Sequence, residues 1–456
     1  MKSEFPFRRV WGGLWVAVLV LLLLIAGLMP VWAQDDDPGD DEDLPAAPPV
    51  AITAIVGGDV WTVTKGVIKG GTVIIKGSKI DQIGGPELKP PPGAKIVDAK
   101  GQVVAPGFIV TSSQIQLTGL TPGNKVKDSL DPFALAIDLA LASGVTSAFV
   151  TGADGGEGPS NTNAVIKMAE GDTAGMLVAE PVVTTFSMTG GGGRFARFGR
   201  ASATARWNLR DQLRRAKEYQ QKLDAYEADK KAGKKTPEPK KPADADEVLP
   251  LIRKERVLRV NASEVADILW ALSLVDDFGI KEAISPATEA WMIADQIAKR
   301  DVLLIITARS RNAPDERKNG PSGSNPDAPG ILQKAGVRFA VLPVDASFSV
   351  GGESGRDLLS YPVEAAFAMR GGADAQSALE SITLTPAKVL GLEKRLGSLE
   401  VGKDADIIVL SGEPLDYRSF VEKTFVNGKL LYDRTRSTFF NQIQPQKGVP
   451  TVPSPP

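Results

Sequence analysis

Residues 103–117, VVAPGFIVTSSQIQL, decide the fold. The apolar pair Val103-Val104 is followed by Pro106-Gly107, and a second apolar run, residues 108–110, leads into Thr111 and further polar residues. Pro-Gly separates structural elements, and a short β-branched apolar run is typical of a buried strand. The pattern therefore predicts a break between two elements at Pro106-Gly107 and a short buried strand that begins at residue 108.

The composition excludes several kinds of chemistry. The 456 residues include no histidine and no cysteine, and the formal net charge is -2. Imidazole and thiolate are the usual ligands of zinc, copper and non-haem iron, and they also supply the base or nucleophile of Ser-His-Asp and Cys-based enzymes. The remaining oxygen ligands suit Mg²⁺ or Ca²⁺, and the near-zero net charge gives no general attraction to nucleic acid.

The N-terminal residues have the pattern of an export segment. Lys2, Arg8 and Arg9 precede a nearly unbroken apolar run over residues 14–28, and Val31-Trp32-Ala33 resembles a cleavage site. This pattern predicts a signal peptide over residues 1–33, with an uncleaved membrane anchor as the alternative because residues 11–33 are long enough to span a bilayer. We expect the protein to be exported, to a periplasmic, cell-envelope or extracellular location.

Glycine-broken strands flank the middle of the chain. Residues 34–50 are acidic and proline-rich, which predicts a disordered linker. Short apolar runs separated by glycines fill residues 51–105, and near the other end Asn427-Gly428 lies between two apolar runs, which predicts a tight hairpin. Residues 436–456, rich in Pro, Gln and Ser, are expected to be a disordered tail.

Residues 397–410, GSLEVGKDADIIVL, and residues 424–429, TFVNGK, resemble the C-terminal signature of the metal-dependent amidohydrolase superfamily. Further resemblances, described below, are to its imidazolonepropionase-like branch. The resemblance implies an α/β fold in which residues 51–105 and 396–435 form one composite β-sandwich. It also implies that residues 106–395 form a (β/α)₈ TIM barrel beside it.

Alternating apolar strands and amphipathic helices in the middle of the chain also favour a barrel. The pattern predicts helices at 130–142, 262–278, 288–299, 331–335, 361–369, 375–382 and 386–390, and strands at 145–150, 280–284, 302–306 and 337–342. Gly279 is expected to end the second helix. A basic insertion at 206–247, helical to about residue 231, is interpreted as a solvated helix and loop, or else as a basic surface for an acidic partner or the acidic linker.

The superfamily's metal-ligand histidines are replaced at each position that the resemblance identifies. Its Asp-x-His-x-His segment corresponds to Val110, Ser112 and Gln114, and Asn261 stands where its Val-His-Ala-His segment has the first histidine. Asn261, three residues before Glu264, also has the pattern of a helix N-cap. Pro286, in the segment SPATEA, replaces the histidine of His-Gly-Thr-Glu-Ala.

Asp345, in the segment PVDAS, matches the superfamily's metal-binding and general-base aspartate, and it is the one ligand position whose residue type persists. Two glycine-rich loops, residues 190–193 and 351–356, are open to two interpretations: flexible lids or anion-binding loops.

These observations leave three hypotheses. The first is a catalytically degenerate pseudoenzyme that has lost the ancestral zinc, needs no cofactor, and keeps its fold to bind a small molecule or a protein, such as a catalytically complete relative or a second copy in a homo-oligomer. The second is an altered hydrolase of non-peptide C–N bonds. It would be metal-free or would use Mg²⁺ or Ca²⁺ on Asp345 with Glu180, Glu289 or Asp154. The third is a structural cell-envelope protein. None of the three hypotheses includes nucleic acid as a partner.

Overall fold

The computed structural model describes residues 50–113, 125–151, 158–187, 203–318, 320–342 and 361–437. The strands in these ranges are β1 (Ile52–Trp61), β2 (Val67–Lys76), β3 (Lys79–Gly84), β4 (Lys95–Asp98), β5 (Val103–Pro106), β6 (Phe108–Ser113), β7 (Val145–Thr151), β8 (Gly158–Ser160), β9 (Asn163–Lys167), β10 (Leu177–Ala179), β11 (Val183–Ser187), β12 (Val257–Ala262), β13 (Glu282–Pro286), β14 (Val302–Ile306), β15 (Phe339–Val341), β16 (Ile407–Leu410), β17 (Val421–Val426) and β18 (Lys429–Asp433).

The α-helices in these ranges are α1 (Leu135–Ala142), α2 (Thr173–Met176), α3 (Ala203–Lys231), α4 (Ala245–Ile252), α5 (Val265–Phe278), α6 (Ala294–Ile297), α7 (Ala328–Lys334), α8 (Tyr361–Arg370), α9 (Ala375–Glu380) and α10 (Leu384–Val389). Short 3₁₀ helices cover Val126–Ser129, Ala290–Ile293 and Arg434–Arg436. Among these described helices, none is both long and apolar enough to cross a membrane. The predicted export segment and nearly all of the predicted linker and tail lie outside the described residues.

Both ends of the described chain contribute strands to one sheet. Its eight strands follow the order β18-β17-β16-β5-β1-β2-β3, with β4 paired to β1. The two chain ends meet where β5 runs antiparallel to β16 and Val104 lies opposite Val409. The hairpin between β17 and β18 turns at Asn427 and Gly428, which have φ angles of 51° and 75°. This is the tight turn that the sequence predicted, because both central residues of such a turn need positive φ.

The remaining strands form two sheets with mixed directions. One contains four strands in the order β10-β9-β7-β6, and the other contains six in the order β15-β14-β13-β12-β11-β8. Strands β11 to β15 are parallel to one another, and β6 is parallel to β7. Alternate residues of β12 face opposite sides. Leu258 and Val260 belong to the large apolar layer that includes the helices, whereas Val257 belongs to a second cluster with Phe149 and Ala283 from other strands.

The outermost strands of these two sheets, β6 and β15, share one neighbouring segment. The N–H of Ile109 on β6 donates to the carbonyl oxygen of Ile382 at 2.9 Å, and the N–H of Val341 on β15 donates to that of Ser381 at 3.1 Å. Residues 381 and 382 follow α9, so the turn between α9 and α10 contacts the first and last strands of the pair of sheets.

A buried ion cluster holds the composite sheet against the strands of the other region. Lys167, at the end of β9, donates to Asp404 at 2.7 Å and to the side-chain oxygen of Asn427 at 2.6 Å, and it lies 3.0 Å from Asp406. Burial raises the pKa of Asp404, but hydrogen bonds from Lys167 and Lys79 outweigh it and hold that pKa at about 2. The Lys-Asp-Ala-Asp part of the signature segment is therefore a docking element between two parts of the fold.

Several predicted elements are confirmed and others shift. Helix α5 ends at Gly279, whose φ is 67°, and β14 spans the predicted residues. The prediction that Asn261 caps a helix is wrong, because Asn261 lies within β12 and the N-cap of α5 is Glu264. The helix predicted from residue 130 begins at Leu135, since the Asp131 side chain accepts from the N–H of Phe133 at 2.9 Å and forms a local turn instead.

The basic insertion is more than a solvated surface helix. Leu209, Leu213 and Tyr219 on α3 are buried, at helical spacing, in the large apolar cluster. On the flank of this stripe Arg206 and Arg210 pair with Asp267 and Asp277 of α5. The first half of α3 is thus part of the core, and only its second half and the following loop are largely exposed.

Candidate functional site

Polar residues lie side by side where the parallel strands end. Ser187 at the end of β11 is opposite Asn261 on β12, and Asn261 is opposite Ser285 on β13. Asn261 is exposed, and Pro286 follows Ser285 through a cis peptide bond. Ser112 is the penultimate residue of β6. In parallel α/β folds, functional residues gather at the carboxyl ends of the strands, so these positions form the candidate site.

The structure thus places Ser112, Asn261 and Pro286 at the strand ends. The other two site residues that the sequence suggested, Gln114 and Asp345, lie outside the described residues, as do Asp154 and both glycine-rich loops.

An arginine that the sequence reasoning did not identify lies beside these strand ends. Arg259 is on β12, two residues before Asn261 and therefore on the same side of the strand. Its Nη1 donates to the carbonyl oxygen of Thr111 on β6 at 2.5 Å, and its Nη2 donates to Ser285 Oγ at 3.3 Å. The guanidinium carbon is 5.2 Å from the ring centre of Phe149 on β7, a cation–π distance. One side chain therefore connects strands from two separate sheets.

Apolar side chains form the floor beneath Arg259. Val257, two residues earlier on the same side of β12, packs with Ile109, Phe149, Val183 and other buried residues of neighbouring strands. This desolvation lowers the pKa of Arg259 to about 10. The side chain is still charged at neutral pH, so a half-buried positive charge lies against an apolar floor, where its lost hydration costs free energy unless an anion compensates.

Two carboxylates that could have joined Asp345 in a metal site have other roles. The Glu289 oxygens accept from the N–H groups of Val265 and Gly323, both at 2.9 Å, and from Lys318 at 3.2 Å. Glu289 is thus a buried acceptor that ties loops to α5. Glu180 precedes β11 rather than following it, and its Oε1 accepts from the N–H of Val126 at 2.5 Å.

The residues present do not fit a zinc ion. Serine, asparagine and proline at the strand ends lack the imidazole, thiolate or carboxylate donors that zinc prefers. Among the described residues, no three acidic side chains come together in a group able to hold a metal. The Arg259 guanidinium adds electrostatic repulsion against any cation placed next to it.

Comparison with known proteins places this geometry in a family. The Amidohydrolase family profile matches residues 290–431. N-acetylglucosamine-6-phosphate deacetylase from Bos taurus is 44% identical over 61 residues, which are 13% of this chain and 14% of that protein. Imidazolonepropionase from Thermoplasma volcanium is 39% identical over 67 residues, 13% of this chain and 17% of that protein. The chain thus matches less than a fifth of the length of either relative.

Solved structures match over a much larger part of the chain. A crystal structure of an amidohydrolase from Thermotoga maritima has a TM-score of 0.64 and 27% identity, covering 84% of this chain and 100% of that one. Phenylurea hydrolase B has a TM-score of 0.52 at 17% identity, covering 84% of this chain and 97% of the other, which is a likeness of fold alone. The family profile, the relatives and the Thermotoga structure together support the metal-dependent amidohydrolase superfamily as the family of this chain.

Proposed function

We propose that this protein is an exported, catalytically degenerate amidohydrolase that keeps its fold to bind a ligand or a partner. The observation that carries the proposal is the position of the Arg259 guanidinium at the ends of the strands, in a chain with no histidine. A fixed cation and neutral side chains stand at the strand ends where the resemblance places histidine ligands.

The energetic consequence is large. A catalytic zinc lowers the pKa of its bound water from about 15.7 to about 7 and so generates a nucleophile at neutral pH. Each loss of about 1.36 kcal/mol of transition-state stabilisation slows a reaction tenfold. Asp345 alone has neither the charge nor the Lewis acidity to recover this loss, so we expect no metal-assisted hydrolysis.

An altered hydrolase of C–N bonds remains the second candidate, supported by the family membership. Glu180 and Glu289, two of the partners expected for Asp345 in this candidate, already accept hydrogen bonds from backbone N–H groups. These contacts favour a version of this candidate that uses Asp345 with Asp154 or works without a metal.

We also infer that the strands of the second region close into a (β/α)₈ barrel. The apolar cluster beneath Arg259 takes residues from strands of both sheets, including Ile109 on β6, Val257 on β12 and Ala340 on β15. Arg259 joins the same two sheets through Thr111 and Phe149. A single apolar cluster formed by side chains from strands of both sheets is the pattern of a barrel interior.

The test is hydrolysis by the purified full-length protein. Amide substrates of the relatives, N-acetylglucosamine 6-phosphate and imidazolonepropionate, should show no turnover above buffer, with or without added zinc, magnesium or calcium. An Asp345→Asn variant serves as the control, because any contaminating hydrolase would be unaffected by it. Turnover by the wild-type chain that Asp345→Asn abolishes would refute the pseudoenzyme and favour the altered hydrolase.

A further inference from the structure

Arg259 is a half-buried cation without a matching acid in the described part of the chain. None of the ion pairs between described residues includes it, and its two hydrogen bonds go to the Thr111 carbonyl oxygen and the Ser285 hydroxyl. The acidic residues that follow β12 and β13, Glu264 and Glu289, are paired with Lys318 instead. A charge in this setting is stabilised most effectively by an anion in direct contact.

The Arg259 guanidinium has N–H groups that make no hydrogen bond to the described residues. It carries more N–H groups than those two contacts use, arranged in a planar fork that matches a carboxylate with two parallel hydrogen bonds. The Phe149 ring lies 5.2 Å from the guanidinium carbon and belongs to the apolar floor. An anion would therefore approach from the strand ends, away from this floor.

Neutral polar groups lie on that side. Asn261, two residues further along the same side of β12, is exposed, and Ser187 is its partner on β11. The Asn261 amide and the Ser285 hydroxyl can both donate to an anion. The partial exposure of the Arg259 side chain is consistent with access from solvent.

We infer that Arg259 anchors a binding site for a small organic carboxylate at the ends of strands β12 and β13, with Asn261 and Ser285 beside it. This inference rests on the proposed function and names the ligand class of that site. In this inference, the Arg259 guanidinium stands where the superfamily has a water-activating metal ion, and it holds an anion through a planar fork of N–H donors.

The probe is malonate. Its binding to the full-length protein is measured by titration calorimetry, and its effect on the Tm is measured by thermal unfolding. Sodium chloride at matched ionic strength is the blank in both experiments. Malonate should bind the wild type and raise its Tm, whereas Arg259→Gln should bind at least about tenfold more weakly, the loss of roughly one charge-assisted hydrogen bond. The matched control is Arg317→Gln, which removes a guanidinium whose side chain is 90% exposed. It should bind malonate like the wild type.

A second variant covers the case in which Arg259→Gln does not fold. Asn261→Asp places a carboxylate next to Arg259, so this variant should be at least as stable as the wild type and should lose the response to malonate.

The inference is overturned if the wild-type protein neither binds malonate nor gains thermal stability from it. This includes the case in which only Asp345→Asn responds, because Asp345 would then supply the carboxylate internally. Absence of malonate binding together with absence of hydrolysis would leave the pseudoenzyme proposal standing, and hydrolysis would refute that proposal separately.

Discussion

The phenolic oxygen of Tyr361 on α8 lies 3.0 Å from the carbonyl oxygen of Ile109 and 3.2 Å from that of Val341. Ile109 is on β6, the first strand of the second region, and Val341 ends β15, the last of its described strands. Tyr361 is completely buried, and burial raises the pKa of its hydroxyl well above the ordinary value. One hydroxyl on a helix therefore serves two strands that lie in separate sheets.

Removing this hydroxyl should weaken the fold measurably. Tyr361→Phe removes the one buried O–H donor that the two carbonyl oxygens share, which should lower the free energy of unfolding by about 1–3 kcal/mol. Urea denaturation monitored by circular dichroism measures the difference. The same change at Tyr417, which is 82% exposed, should stay within about 0.5 kcal/mol of the wild type. Equal effects of the two variants would show that the contact does not join the strands.

Lys167 should be far more important than a surface lysine. Its side chain is 1% exposed and it pairs with both Asp404 and Asp406. Lys167→Met leaves buried Asp406 without its cation, while Asp404 keeps its pairs with Lys79 and Arg395. The change should cost about 3–5 kcal/mol in unfolding free energy. Lys69→Met removes a lysine that is 79% exposed and pairs with Asp59, so its cost should be at most about 1 kcal/mol. A small effect at Lys167 would contradict the docking role of the signature segment.

Glu282 should make stability depend on pH. It is 1% exposed, neither carboxyl oxygen has a hydrogen-bond partner among the described residues, and burial raises its pKa well above 4.5. The folded state therefore binds the proton more tightly than the unfolded state. This contribution to stability is complete below about pH 4.5 and is lost as pH rises through the higher folded-state pKa.

Glu282→Gln tests this pH dependence, because it keeps the shape without the acid. The variant should gain stability over the wild type as pH rises from 4.5 to 9, measured by chemical denaturation at each pH. Glu255→Gln, at an exposed position, is the control and should follow the wild type throughout. A constant difference between Glu282→Gln and the wild type across this range would refute the assignment.

The basic insertion should contribute to the core through one face only. Leu213 on α3 is fully buried, so Leu213→Ala should cost about 2–5 kcal/mol in unfolding free energy. Lys222, on the exposed second half of the same helix, should tolerate alanine within about 0.5 kcal/mol. If both changes were neutral, α3 would be the solvated helix that its composition predicts.

The sequence predicts the ends of helices and the turns correctly where a single residue type decides the local backbone conformation. Gly279 ends α5 because a left-handed residue there favours glycine, and Asn427-Gly428 turns the hairpin for the same reason. The helix-cap prediction for Asn261 was wrong because an asparagine side chain suits both a helix cap and a strand end. Pairing of β12 with β11 and β13 settled the choice, and such long-range pairing is not visible in a local pattern.

The candidate site was only partly predictable for a related reason. Ser112, Asn261 and Pro286 could be found by their positions relative to the family's motifs. Arg259 could not, since an arginine between Leu258 and Val260 has the ordinary alternation of a half-exposed strand. Only the closeness of β6 and β7 to β12 shows that this residue contacts other strands.

The metal content of the protein tests the central claim most directly. The full-length protein would be dialysed against excess zinc and then against metal-free buffer, and elemental analysis would give the zinc retained per chain. Because Arg259 and neutral side chains lie at the strand ends, we predict that zinc is retained far below one equivalent and equally in the wild type and Asp345→Asn. One equivalent or more of zinc that survives dialysis in the wild type, and is lost in Asp345→Asn, would contradict the account.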